Sequence, residues 1–417
     1  MPNKNSLRSI ATLLLGVQLA VLFWTQAAMA SPNILLPRTG IGADDVALLI
    51  NDDDPLSRQT GAYYQKARHI PDENVIHLHL PVGKTALSIQ EFEPLKAEID
   101  RLTPKHIQAY AVAWTEPYRV GCMSMTSALA FGFDEKYCSP SCGPTAASSY
   151  FNAPGSYPFI DHKLRLAMML AGTGFDEVKA LIDRGVVSDS TFPGGKAYLL
   201  NTPDKARSVR AGQFSLTKAE LKGLVAIEEI EADFIVDRKD VLFYFTGLAQ
   251  VPNLNTLNFK AGALADHLTS FGGQLTDSTQ MSSLRWLEAG ATASFGTVRE
   301  PCNHQQKFPV PAIAMFHYLQ GNTAIEAYWK SVAWPGEGVF IGEPLARPFA
   351  PRLRTVNDAL FELTVVSPAK TIWRIEHADS VMGPYQPTGK GIAIHRGQST
   401  LRFPRPVGAK TFLRLVR

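Results

Sequence analysis

Cysteine is scarce in this chain, 4 residues in 417, and only Cys138 and Cys142 in "YCSPSCG" lie close together. With no second pair at zinc-finger spacing, the C-x-x-x-C segment does not read as a structural zinc module. Charge of one sign is also lacking. The chain has 41 basic against 38 acidic residues, with lysine and arginine scattered, which excludes the basic footprint of a nucleic-acid binder. Beyond the first thirty residues no stretch is apolar and long enough to span a bilayer. No pair of histidines has H-x-x-x-H spacing, and no repeat or low-complexity tract appears.

The first thirty residues carry the firmest signal. Lys4 and Arg8 form a positive start, "IATLLLGVQLAVLFWT" an apolar run, and Ala28-Met29-Ala30 an A-x-A site before Ser31. That run is 16 residues long, shorter than the ~20 a spanning helix needs. Residues 1–30 are therefore expected to be a cleaved signal peptide, leaving a chain exported to the periplasm or beyond. Its removal takes away two of the 41 basic residues and no acidic one, so the remaining chain is almost neutral. No cysteine follows the apolar run directly, so nothing points to a lipid anchor.

In an exported chain four cysteines read as two disulfides. Pro140 and Gly143 permit a tight reversal, so Cys138 is expected to pair with Cys142. Cys122 and Cys302 would form the second bridge, each within about seven residues of a strand end. Three connectivities are open.

Alternation of strand and helix organises residues 31–352. "VALLIND" (46–52) is a buried strand, and Asp54-Pro55 opens a helix, the acid capping free amides and proline occupying the first turn. "NVIHLHL" (74–80) and "IQAYAVAWT" (107–115) are further strands with a helix over 88–102 between them. This order predicts an α/β fold with a mostly parallel sheet flanked by helices. Residues 116–160 interrupt it as a long structured insertion. Helices follow at 162–172 and 175–186, strands at 196–200 and 241–247, a helix at 278–290, a strand at 291–298, helices across 310–333 and a strand at 339–342. Residues 353–417, with short alternating runs such as "GIAIHRG" and "KTFLRLVR", fit a small antiparallel β-sandwich.

Candidate chemistry gathers where "ADHLTSF" meets Gly272 and Gly273. On a strand, alternation puts Asp266 and Ser270 on one face and His267 and Thr269 on the other, so no local triad forms unless the strand ends early. Paired glycines permit a backbone close to a ligand, and turns at the carboxyl ends of parallel strands are where ligands bind. The expected rim gathers the strand ends near Asp52, Thr115, Thr246, Ser270 and Val298. Asp52, Asp53 and Asp54 read as a solvated turn, and His77 and His79 as one face of a strand.

The segments "INDDDPLSRQTGAYYQKARHIPDENVIHL", "YAVAWTEPYRVGCMSMTSALAFGFD", "GALADHLTSFGGQL", "WLEAGATASFGTVREP" and "IGEPLARPF", in that order, resemble an uncharacterised family of exported bacterial proteins. More distantly, the order of elements is similar to the gingipain-like cysteine peptidases of the caspase-haemoglobinase fold. That resemblance implies a histidine after one strand and a cysteine nucleophile after the next. Here Thr246-Gly247-Leu248 and Thr269-Ser270 stand in those places, so a thiolate and the imidazole that would activate it are both missing. The resemblance with these departures implies a binding or scaffold protein. The alternative is a peptide-directed hydrolase with a rebuilt site drawn from His267, Thr269, Ser270 and His304. Thr246, Gly247, Gly272, Gly273 and Glu300 would line a ligand pocket in either case. A Cys302–His304 dyad, or a metal held by Asp266, His267, Glu300 and His304, is the weaker reading, and no metal or cofactor is expected. The aromatics of "SSYFNAPGSYPF" read either as packing of the long loop itself, the commoner case, or as the lining of a groove for an extended peptide or glycan.

Overall fold

The computed structural model describes residues 33–139, 141–357, 360–404 and 412–416. Residues 1–30, expected to be a signal peptide, and Pro140 lie outside them. The described chain contains one large mixed sheet flanked by helices and separate smaller sheets.

Ten strands form the large sheet: β1 (Val46–Asn51), β2 (Val75–Leu78), β3 (Ala109–Val112), β4 (Leu166–Met169), β5 (Lys196–Asn201), β6 (Ala226–Glu231), β7 (Val241–Thr246), β8 (Phe259–His267), β9 (Ala293–Thr297) and β10 (Gly338–Gly342). Their spatial order is β6-β5-β7-β8-β9-β10-β4-β3-β1-β2. Strands β1, β3, β4, β7, β9 and β10 are buried along their whole length, because both faces are covered. Leu48, Ala111 and Met168 pack on one side, and Leu49, Val112 and Met169 on the other. Continuous apolar runs, rather than alternation, are what such strands require.

Strands β9 and β10 are antiparallel, with Phe295 opposite Phe340, whereas every other neighbouring pair in the sheet is parallel. The two halves therefore run in opposite directions. This corrects the expected rim: the strands ending near Asp52 and Thr115 finish on one edge of the sheet, and those ending at Thr246, His267 and Thr297 on the other.

Local signals hold at the helix starts. Asp54 accepts from the Leu56 amide at 2.9 Å ahead of the helix Pro55–Arg68, and Ser88 and Glu91 form a reciprocal cap on Ile89–Leu102. Residues 166–169, expected inside a helix, are instead the buried centre of the sheet. Leu, Ala and Met are good helix formers, but a four-residue strand here closes the gap between β3 and β10. Edge strand β6 was not foreseen, since its glutamates are poor strand formers; Glu228 finds Lys196 at 2.6 Å on the neighbouring strand. The expected helix over 278–290 shrinks to Leu284–Glu288. Within 116–160 the chain folds a buried helix, Met125–Phe131.

The carboxyl-terminal strands form two small sheets around Phe361, Leu363, Trp373, Phe403 and Leu415. One of these sheets includes Asn33–Leu35, which lies parallel to Phe412–Val416.

Both disulfides differ from expectation. Cys122 bonds Cys138, and Cys142 bonds Cys302. The turn at 139–143 is organised instead by Ser139, whose hydroxyl accepts from the Gly143 amide at 3.0 Å and donates to the Ser141 carbonyl at 2.7 Å. Cys138 is thus turned into the core while Cys142 stays outside to reach the segment after β9.

Candidate functional site

Strands β7 and β8 are parallel neighbours, with Thr246 opposite His267, and the Leu268 amide donates to the Thr246 carbonyl at 3.0 Å. The turns after Gly247 and Ser270 therefore share one edge of the sheet. Strand β8 ends at His267, so Asp266 and His267 still project to opposite faces.

On one face Asp266 meets Arg210, with Nη1 2.6 Å from Oδ1. Both side chains are buried. Burial raises the Asp266 carboxyl to about 6, against the lowering effect of Arg210. Arg210 also donates to the Thr246 carbonyl at 2.6 Å and the Pro309 carbonyl at 3.1 Å, tying the end of β7 to the segment ahead of Pro311. These are the contacts of a structural ion pair, closed to solvent.

On the other face His267 is enclosed. Its Nδ1 accepts from the Trp286 indole at 2.9 Å, so Nε2 carries the hydrogen and donates to the Met281 carbonyl at 3.0 Å. Burial lowers the imidazole to about 3. A neutral ring with both nitrogens engaged has no lone pair for a hydroxyl proton.

Thr269 is buried and its hydroxyl is committed. It accepts from Arg207 Nε at 3.1 Å and donates to Gln280 Oε1 at 2.6 Å. The same Gln280 oxygen accepts from the Phe271 amide at 3.0 Å, and Arg207 pairs with Asp204 at 2.8 Å. Ser270 is half-buried. Its carbonyl, like that of Thr269, accepts from the Thr297 hydroxyl, and its own hydroxyl has no imidazole beside it.

The glycines answer to backbone crowding. A Cβ on Gly247 would overlap the Arg207 carbonyl, and Gly273 and Gly296 lie backbone against backbone. Gly272 faces the edge of the His267 ring, 3.4 Å from where its Cβ would stand to Cε1. The space a ligand would need is filled by the protein itself. Thr246 is buried, and its hydroxyl has no hydrogen-bond partner among the described residues.

Glu300 and His304 sit further along the same edge. The Glu300 carboxylate accepts from the Cys302 amide at 2.8 Å, and His304 Nε2 lies 2.7 Å from the Cys142 carbonyl. An open groove of about 340 Å³ runs between Arg119, Phe271, Gln274 and Glu300. Cys142, Glu300 and Cys302 bring potential ligand atoms within 4.8 Å of one another. However, the sulfurs are bonded to each other, which removes both a thiolate dyad with His304 and a metal set. Asp266 and His267, each held by its own partners, do not join Glu300 and His304. At the opposite edge, Asp52 pairs with His77 at 2.8 Å and Asp53 with His79 at 2.9 Å. The sequence presented these residues as separate features.

Arg207, Arg210, Gln280 and Trp286 define this region, and sequence reasoning missed them. Trp286 stood in a predicted helix and the arginines in an irregular stretch, so their partners were invisible. A second concavity, of about 550 Å³, lies elsewhere, between Arg38, Asn152, Tyr157 and His317.

No protein-family model matches this chain, and no curated protein matches it. A solved structure described as "Structure of Protease" aligns with a TM-score of 0.40 at 10% identity, covering 90% of this chain and 97% of that one. Among the described residues no helix is long and apolar enough to cross a membrane.

Proposed function

We propose that this chain is an exported binding or scaffold protein, in which the positions that would carry a peptidase nucleophile and base have become structural. The parallel adjacency of β7 and β8 is compatible with the gingipain-like order of elements read from the sequence. The occupation of both His267 nitrogens by Trp286 and Met281 is the observation that carries the reading, because a hydroxyl nucleophile depends on a neighbouring base. The joining of all four cysteines in disulfides supports it from the thiol side and suits an oxidising compartment.

Treating the purified protein with a fluorophosphonate and a thiol-reactive probe tests this, with Ser270→Ala and the double variant Cys142→Ser/Cys302→Ser, which leaves no unpaired thiol from that bridge, as controls. No labelling is expected. Stoichiometric fluorophosphonate labelling that Ser270→Ala abolishes would establish the hydrolase alternative instead.

A further inference from the structure

The cavity of about 550 Å³ lies away from the β7–β8 edge and is built by three separate chain segments: Pro37 to Thr39, Asn152 to Tyr157, and Phe316 to Asn322. Lys330 joins them from behind. Fully buried, its ammonium donates to the Gly155 carbonyl and to Asn322 Oδ1, each at 2.8 Å. Asn322 in turn donates to the Thr39 carbonyl, and the Asn152 amide donates to the Lys330 carbonyl at 2.9 Å. Asn152 itself is held at φ 51°, the left-handed region that asparagine tolerates. The walls are thus fixed before any ligand arrives, and the volume falls within the ~300–1,000 Å³ of small-molecule sites.

The lining sets polar groups among a larger apolar surface and carries no net charge. Arg38, stacked over Tyr157 at 4.1 Å, is neutralised by Asp45 at 3.0 Å and donates to the Ser156 carbonyl at 3.0 Å. His317 is buried, and its Nε2 lies 3.0 Å from Asn152 Oδ1. An amide oxygen only accepts, so this nitrogen carries the hydrogen and the Asn152 amide nitrogen is left as a donor. Gln320, Ser156 and Thr39 add further amide and hydroxyl groups, and Tyr157 and Phe316 add apolar ring surface. Paired donors and acceptors beside aromatic faces match a ligand with many hydroxyls and an apolar C–H face. Among the lining residues a carboxylate or phosphate meets only Arg38, already paired with Asp45, and an ammonium meets no carboxylate.

We propose that this cavity binds a neutral carbohydrate. This deepens the binding reading and rests on it. It also gives the "FNAPGSY" stretch a role, as the wall that meets the sugar.

A glycan array with neutral and acidic members, followed by calorimetric titration of the hits, provides the test, with an N-acetylated, C-amidated alanine tripeptide as the comparison ligand. Saturable binding of neutral glycans is expected, weakened at least tenfold by Asn152→Ala and by Gln320→Ala while the circular dichroism spectrum stays unchanged. Absence of any neutral hit would overturn the proposal, as would binding indifferent to both substitutions. Binding of the tripeptide alone, lost in Asn152→Ala, would overturn the ligand class but leave the binding reading intact. Labelling of Ser270 by a fluorophosphonate would instead remove the binding reading.

Discussion

The Trp286 indole nitrogen donates to Nδ1 of His267 across 2.9 Å, inside a pocket closed to solvent. This bond selects the tautomer and leaves the imidazole no free lone pair. Replacing Trp286 by Phe keeps a ring against Tyr244 but strands a buried acceptor. A loss of about 1–3 kcal/mol is expected, read as a lower urea midpoint, with no gain of fluorophosphonate reactivity at Ser270. A variant as stable as the parent would show that the bond contributes little.

Acid should weaken the fold through buried histidines. His267 and His317 are each pushed by burial from 6.5 to about 3. Between these values the unfolded chain takes up protons that the folded chain does not. Stability present above pH 6.5 therefore falls as the pH drops, by ~1.4 kcal/mol per pH unit for each ring. Asp266 acts in the opposite sense, its carboxyl raised by burial from 3.8 to about 6, so it adds stability as pH falls through that window. The net expectation is a decline equal to about one proton below pH 6. Urea midpoints measured from pH 7 to pH 4 test this, and His317→Gln should flatten the slope.

Arg210→Met would leave Asp266 buried without its guanidinium. Removing one member of a buried pair costs about 3–5 kcal/mol, whereas replacing both with apolar groups is often near neutral. The double variant Arg210→Met/Asp266→Leu is therefore expected to recover much of the loss, except for the share from the carbonyls of Thr246 and Pro309. Chemical denaturation of the three variants gives the coupling directly. Equal instability in the single and double variants would show that the carbonyl bonds dominate.

Peptide mapping without reduction should recover Cys122 linked to Cys138 and Cys142 linked to Cys302. The second bridge spans 160 residues and the first 16. On chain-entropy grounds the long loop is worth about 5 kcal/mol and the short one about 3. Cys142→Ser/Cys302→Ser is thus expected to lower the midpoint more than Cys122→Ser/Cys138→Ser. The reverse order would mean that contacts of the insertion outweigh the loop length.

Much of the fold was legible because its signals are local. The apolar run 46–50, the Asp54-Pro55 start and the Ser88–Glu91 cap each depend on neighbours a few residues away, and each stands where the sequence puts it. Strand 166–169 was not legible, because "LAMM" suits a helix equally well and only the gap between β3 and β10 demands an extended segment. At the candidate site the sequence placed Thr246 and Ser270 at the ends of adjacent strands, whereas the second strand ends at His267. It offered no sign that Trp286 and Met281 would return to occupy the nitrogens of His267, or Gln280 the hydroxyl of Thr269.

The sequence by itself determined the strand that opens at Val46, the capped helices after Asp54 and Ser88, and that Asp266 and His267 face opposite ways, since hydrophobic periodicity and capping act over a few residues. Only the tertiary structure decided that the sheet reverses direction at Phe295 and Phe340, that Cys142 reaches Cys302, and that Lys330 draws Gly155 and Asn322 around one cavity. Those outcomes join separate elements of the chain, Cys142 to Cys302 across 160 residues and Lys330 to Gly155 across 175, and depend on packing that no local pattern encodes.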